Sequence, residues 1–177
     1  VAIIGLGYVG LPLALQFCRS GAKVLGIDID AKKVEALQAG ASYIKHISSE
    51  SIVEQRHSGR LAVTTDFAVI RDADAAIICV PTPLNKNREP DISYIVETGK
   101  LMAPHLRRGM LVALESSTYP GTTDEDLLRV LEAGSGLKAG RDFYLAFSPE
   151  REDPGNPQSV VASIPKVVGG FTPECLK

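Results

Sequence analysis

Two groups of residues near the start of this 177-residue chain are spaced for binding a phosphate and a sugar diol. In Gly5-Leu6-Gly7-Tyr8-Val9-Gly10, Gly5 allows a tight turn, Gly7 leaves no side chain between backbone and phosphate, and Gly10 lets a helix lie close on a sheet. A helix starting near Tyr8 then offers unpaired N–H groups and its positive dipole end to a pyrophosphate. Asp28 follows at the separation, about 20 residues, at which an acid accepts hydrogen bonds from an adenosine ribose. Its charge repels a 2′-phosphate and so favours NAD over NADP. Lys32 and Lys33 work against that preference, since either could meet a phosphate. The plainer role for Asp28 or Asp30 is to cap the following helix; the spacing gives Asp30 the cap and Asp28 the ribose.

The elements that must position these groups are legible in the hydrophobic pattern. Val1–Ile4, Val24–Ile27, Leu61–Thr64, Ala75–Val80, Met110–Leu114 and Phe143–Phe147 read as strands, with a last short one at Lys166–Gly169. Helices are expected after the glycine loop, over Ala31–Ala39, around Ser51–His57, from an Asp91 cap to about Leu106, and over Asp124–Ala133. Asp66 caps a helical turn reaching Arg71. Continuous apolar runs such as Ala75–Val80 indicate strands covered on both faces. Alternating strands and helices give an α/β, Rossmann-like, doubly wound parallel sheet with helices on both faces. In such a sheet ligands sit at the carboxyl ends of the strands. The segments Gly5–Gly10, Asp28–Lys33, Val80–Pro83, Glu115–Thr118 and Ser148–Glu150 are therefore expected to line the site.

Composition narrows the class. With 45% hydrophobic residues the chain can build one substantial core. A net charge of −2 with no basic block gives no support for nucleic acid or a membrane surface as partner. No apolar run approaches the roughly 20 residues of a membrane span. Cys18, Cys79 and Cys175 lack metal-ligand spacing and read as reduced thiols of a cytoplasmic protein. Nor do His46, His57 and His105 show ligand spacing. The chain opens inside its first strand and stops where a helix barely starts, so residues 1–177 read as one domain excised from a longer enzyme.

Taken together and in order, GLGYVGLPLA, Val80-Pro81-Thr82-Pro83, Glu115-Ser116-Ser117-Thr118-Tyr119-Pro120-Gly121-Thr122 and Ser148-Pro149-Glu150-Arg151 resemble the UDP-glucose/GDP-mannose dehydrogenase family of nucleotide-sugar 6-dehydrogenases. The resemblance covers essentially the whole chain and corresponds to the N-terminal NAD-binding domain. It implies oxidation of the C6 hydroxymethyl of a UDP-sugar to a carboxylate with two NAD⁺, through a thiohemiacetal and a thioester on a cysteine. It implies Gly5, Gly7, Tyr8, Val9 and Gly10 at the pyrophosphate, and Asp28 with Lys33 at the adenosine ribose. Val80, Pro81, Thr82, Ser117 and Thr118 would lie along the cofactor. Thr118 matches a threonine that positions a water, and Glu150 a glutamate in acid–base steps or hydrolysis. A carboxylate at an apolar cleft suits the latter, because burial raises its pKa toward neutrality. The plainer reading of Glu150 is a loop acid paired with Arg151.

The departures are informative. The family's nucleophilic cysteine, with its lysine and asparagine, belongs to later motifs absent from these residues, so no nucleophile is assigned and the isolated domain is expected to be inactive. Pro154 stands where the UDP-glucose branch has a further acid. The segment Pro149–Asn156 instead resembles the branch acting on UDP-N-acetylglucosamine, with UDP-glucose and UDP-N-acetylmannosamine as alternatives. The resemblance implies a homo-oligomeric parent in polysaccharide biosynthesis. A non-catalytic NAD(H)-sensing module would not need the Thr118 and Glu150 motifs, and a 6-phosphogluconate-type or hydroxyacid dehydrogenase lacks the VPTP and SPER segments.

Overall fold

Among the described residues, short runs rich in Ile, Val, Leu and Ala form six strands and a glycine pair a seventh, and the side on which each residue points divides the core in two. The computed structural model describes residues 1–86, 88, 90–149 and 165–177. The strands are β1 (Ala2–Ile4), β2 (Val24–Ile27), β3 (Leu61–Thr64), β4 (Ala75–Ile78), β5 (Leu111–Leu114), β6 (Tyr144–Phe147) and β7 (Gly169–Gly170). They lie in one sheet in the order β3-β2-β1-β4-β5-β6-β7. All neighbours are parallel except β7, which runs antiparallel to β6 and pairs Ala146 with Gly170 and Phe147 with Gly169. The first six follow the doubly wound dinucleotide-binding order.

Ala2, Ile4, Ile27, Ile78, Val112 and Leu145 face one layer, which holds Ile95 and Met102 of α4 (Ser93–Met102) and Leu131 of α5 (Leu128–Ser135). Ile3, Val24, Ile77, Ala113 and Ala146 face the other. There they meet Leu11 and Leu15 of α1 (Gly10–Arg19), Leu37 of α2 (Ala31–Gln38) and Ile52 of α3 (Ser49–His57). Each fully buried Leu or Ile contributes about 1.5–3 kcal/mol by leaving water. The sheet is thus covered on both faces, as its near-continuous apolar strands require. Cys18, Cys79 and Cys175 are buried and form no disulfide among the described residues. No helix among the described residues is long and apolar enough to cross a membrane.

Capping follows the expected chemistry at two places. Asp30 accepts the Lys32 N–H at 3.0 Å at the start of α2, and Asp66 the Ala68 N–H at 2.8 Å ahead of a 3-10 segment, Phe67–Asp72. Asp91 accepts the Ser93 N–H at 2.9 Å, although the residue at the cap position itself is Ile92.

Four expectations need correction. The first helix starts at Gly10 rather than near Tyr8, with Gly7–Val9 forming the turn that leads into it. The fourth helix stops at Met102, where Pro104 turns the chain into a 3-10 segment, Ala103–His105. The fifth begins as a π-helical turn, Thr122–Leu127, after Gly121 in a left-handed conformation, φ 100°. The last strand is Gly169–Gly170, not Lys166–Gly169, because the exposed residues 165–168 reach no strand partner.

Candidate functional site

The chain runs outward through β1, β2 and β3, then crosses back to place β4 on the other side of β1. The loops leaving β1 and β4 therefore diverge, and a cavity of about 590 Å³ opens between them at the carboxyl ends of the strands. That volume lies within the roughly 300–1,000 Å³ usual for small-molecule sites.

Its floor is the glycine loop. Gly5 leaves β1 with φ 91°, and its N–H donates to Ile27 O at 2.8 Å. A Cβ there would stand 2.7 Å from the carbonyl oxygen of Cys79, so only glycine fits between the two strand ends. Gly7 lines the cavity, and a Cβ added to it would meet no atom within 4 Å. The room for a phosphate against the backbone thus exists where the spacing requires it. The Leu11 N–H donates to Gly7 O at 3.1 Å and closes the first turn of α1. Among the described residues the N–H groups of Gly7, Tyr8 and Val9 have no protein acceptor, which leaves them to a ligand or solvent.

Asp28, 6% exposed, closes one end. Its Oδ2 accepts the Leu6 N–H at 2.9 Å and lies 3.3 Å from Lys33 Nζ, while Oδ1 accepts the Asp30 N–H at 3.0 Å. The carboxylate therefore joins the tip of β2 to the glycine loop and still borders the cavity. Of the two lysines weighed from sequence, Lys33 reaches it.

Beyond β1, the loops after β4 and β5 are laced together. The Ser116 hydroxyl donates to Val80 O at 2.7 Å, and the Thr82 hydroxyl to Ser117 O at 2.5 Å. Val80, Pro81, Thr82 and Ser117 all line the cavity. So does Glu115, a buried acid paired with Lys166 from the segment that precedes β7.

Of the twelve residues expected along a cofactor, ten border this one cavity. Gly10 and Thr118 do not. Gly10 is spent on packing: a Cβ there would stand 1.8 Å from Gly5 O. Thr118 turns away toward Thr122, hydroxyl to hydroxyl at 2.7 Å, and Thr122 is fully buried in the π-helical turn. Of the expected segment Ser148–Glu150, Ser148 and Pro149 do not border the cavity, and Glu150 lies outside the described residues. Ile29 lies within the expected segment Asp28–Lys33, whereas the apolar wall residues Phe67, Tyr94 and Leu101 fall outside every expected segment. The last two, with Glu97 and Thr98, repeat at i, i+3, i+4 and i+7, a periodicity that marks one face of α4.

The comparisons with known proteins agree with this geometry. Residues 1–177 match the model of the UDP-glucose/GDP-mannose dehydrogenase family, NAD binding domain. The UDP-N-acetyl-D-glucosamine 6-dehydrogenase of Pseudomonas aeruginosa is 37% identical over 174 residues, 98% of this chain and 40% of that protein. The UDP-N-acetyl-D-mannosamine dehydrogenase of Pyrococcus horikoshii is 37% identical over 173 residues, 97% of this chain and 41% of that protein. The solved structure of the UDP-D-ManNAc dehydrogenase from Pyrococcus horikoshii superposes with a TM-score of 0.89 at 35% identity, covering 98% of this chain and 41% of that one. A ternary complex of GDP-mannose dehydrogenase from Pseudomonas aeruginosa gives 0.82 at 33% identity, covering 86% and 36%. The chain thus spans about two fifths of the length of the curated relatives it matches. A Rossmann-type sheet, a glycine loop with room for a phosphate, and a matching family model over every residue lead to one conclusion: the chain belongs to the UDP-glucose/GDP-mannose dehydrogenase family, and the part it represents is the NAD-binding domain.

Proposed function

We propose that this chain is the NAD-binding domain of a UDP-N-acetylglucosamine 6-dehydrogenase, an enzyme that oxidises the sugar's C6 hydroxymethyl to the uronic acid with two NAD⁺. The observation that carries the cofactor half is the single cavity shared by the glycine loop, Asp28 and the ends of β4 and β5. In this reading Gly5, Gly7, Tyr8 and Val9 cradle the pyrophosphate, with Gly10 holding α1 in place. Asp28, with Lys33, takes the adenosine ribose, and Ile29, Phe67, Tyr94 and Leu101 offer apolar surface for the adenine. Val80, Pro81, Thr82 and Ser117 accompany the nicotinamide half. The bound cofactor supplies hydride acceptance. Thr118 orients a water for the hydrolytic step and Glu150 moves protons in acid–base steps or hydrolysis.

The substrate half rests on the resemblance of Pro149–Asn156 and on the Pseudomonas relative. UDP-N-acetylmannosamine is the second reading, supported by the Pyrococcus relative at the same 37% identity. The parent enzyme would be a cytoplasmic homo-oligomer whose nucleophile and uridine site lie in other segments.

Calorimetric titration with NAD⁺ and NADP⁺, on this chain and on Asp28→Ala, tests the cofactor half. Saturable NAD⁺ binding, weaker NADP⁺ binding and loss of affinity in the variant are expected; no binding to either nucleotide overturns it. Turnover of UDP-N-acetylglucosamine, UDP-N-acetylmannosamine and UDP-glucose by the parent enzyme then decides the substrate.

A further inference from the structure

The loop between α2 and α3 touches the glycine loop twice, and no sequence motif accounts for it. The Tyr43 hydroxyl donates to Leu6 O at 2.6 Å across 37 residues of chain. Three residues later the His46 ring stands over Tyr8, centroids 6.2 Å apart and planes tilted by 32°. The tyrosine is well held. Ile44 beside it is buried at 3% exposure, and Ser42 pins the turn by accepting the Ile44 N–H at 3.2 Å and donating to Ile44 O at 3.1 Å. Ser42's own N–H donates to Ser49 Oγ at 3.1 Å, which ties the loop to α3. Burial, then the nearby Asp28 and Asp30 carboxylates, push the Tyr43 pKa upward, so the phenol keeps its donor proton throughout the neutral range.

Leu6 is therefore gripped on both sides. Its N–H goes to Asp28 Oδ2 at 2.9 Å and its C=O to Tyr43. The described peptide bonds are trans, and in a trans peptide the C=O of one residue and the N–H of the next point in opposite directions. Fixing the Gly5–Leu6 peptide through Asp28 thus turns the Gly5 carbonyl the other way, against Gly10. Fixing the Leu6–Gly7 peptide through Tyr43 turns the Gly7 N–H away from Tyr43, on the residue that lines the cavity without a side chain. We propose that Tyr43 is a positioning residue for the cofactor's pyrophosphate: by holding Leu6 O it presets the direction in which the Gly7 N–H meets the phosphate. A donor aimed in advance spares the bound state the cost of ordering it.

This rests on the placement of the pyrophosphate at the glycine loop, so the test separates the two. Adenosine and ADP are titrated into this chain and into Tyr43→Phe, which loses only the hydroxyl, with binding followed by two-dimensional ¹⁵N NMR. Wild-type protein should bind ADP more tightly than adenosine. Tyr43→Phe should keep its adenosine affinity and lose about three- to ten-fold of the ADP advantage, the worth of one aimed hydrogen bond. No ADP advantage in wild type overturns the placement of the pyrophosphate and Tyr43's role with it. An unchanged advantage in the variant overturns the role of Tyr43 alone. Equal loss for both ligands, or a variant that does not fold, makes Tyr43 a structural residue and also overturns the proposal.

Discussion

Gly10 sits so close to Gly5 that a Cβ on the one would stand 1.8 Å from the carbonyl oxygen of the other, whereas a Cβ on Gly7 would touch nothing within 4 Å. The two glycines thus do different things within one motif. Gly10→Ala must push α1 off the sheet, because the obstructing atom is backbone. We expect a loss of about 1–3 kcal/mol or more in stability, with nucleotide binding lost alongside. Gly7→Ala should melt as wild type does and yet bind NAD⁺ at least about ten-fold more weakly, since on the proposed placement its methyl stands where the pyrophosphate would lie. Thermal melts beside calorimetry distinguish the two; equal destabilisation by both would refute the division.

Asp28 has a structural duty besides any ligand. Asp28→Ala leaves the Leu6 and Asp30 N–H groups without their acceptor at a site only 6% exposed. The expected cost is about 1–3 kcal/mol of stability, measured in urea. Asp28→Asn keeps a carbonyl oxygen and should recover part of that loss. It lacks the negative charge, however, so its preference for NAD⁺ over NADP⁺ should shrink while its fold holds.

The Thr118–Thr122 bond at 2.7 Å can be apportioned by a double-mutant cycle. Thr118→Val leaves the fully buried Thr122 hydroxyl alone, at about 1–3 kcal/mol. Adding Thr122→Val should cost less than its effect in the wild-type background, because both partners are then apolar. Strict additivity in urea unfolding would show that the pair is not coupled.

Alkali should weaken the fold through Cys18. Burial pushes this thiol from an ordinary 9.0 up to about 11. Its Sγ lies 3.5 Å from Arg60 O, to which it donates. The sign follows from which state ionises first. Below pH 9 the thiol is protonated in both states and its contribution is intact. Between pH 9 and 11 the unfolded chain releases the proton while the folded chain keeps it, so stability falls. Urea midpoints should drop across that window, and Cys18→Ala should flatten part of the drop.

What the sequence made legible followed from side chains with one dominant environment. Ala75–Val80 reads as a doubly covered strand because every residue is apolar, and β4, Ala75–Ile78, forms within it. Asp30 reads as a cap because a short acceptor precedes an amphipathic run. The glycine loop was legible because its chemistry is carried by missing side chains. The failures have physical reasons as well. Val167 and Val168 have strand propensity, yet pairing falls to Gly169–Gly170, where a Cβ on Gly170 would meet Leu176 N at 2.6 Å. The start of α5 departs from the expected Asp124 because left-handed Gly121 feeds a π-helical turn that no periodicity announces. Tyr43 was invisible because its partner is a backbone carbonyl 37 residues away. Backbone acceptors leave no signature in residue types.

The central position of β1 also has a meaning during synthesis. Residues of β1, β2 and β3 form one contiguous half of the sheet, and that half already contains the glycine loop, Asp28 and Tyr43. These elements precede β4 in the chain, so they leave the ribosome before it. Until β4 emerges, the β4-facing edge of β1 is an open strand edge with apolar residues on both faces. The emerging chain therefore carries the glycine loop and Asp28 beside an open apolar strand edge.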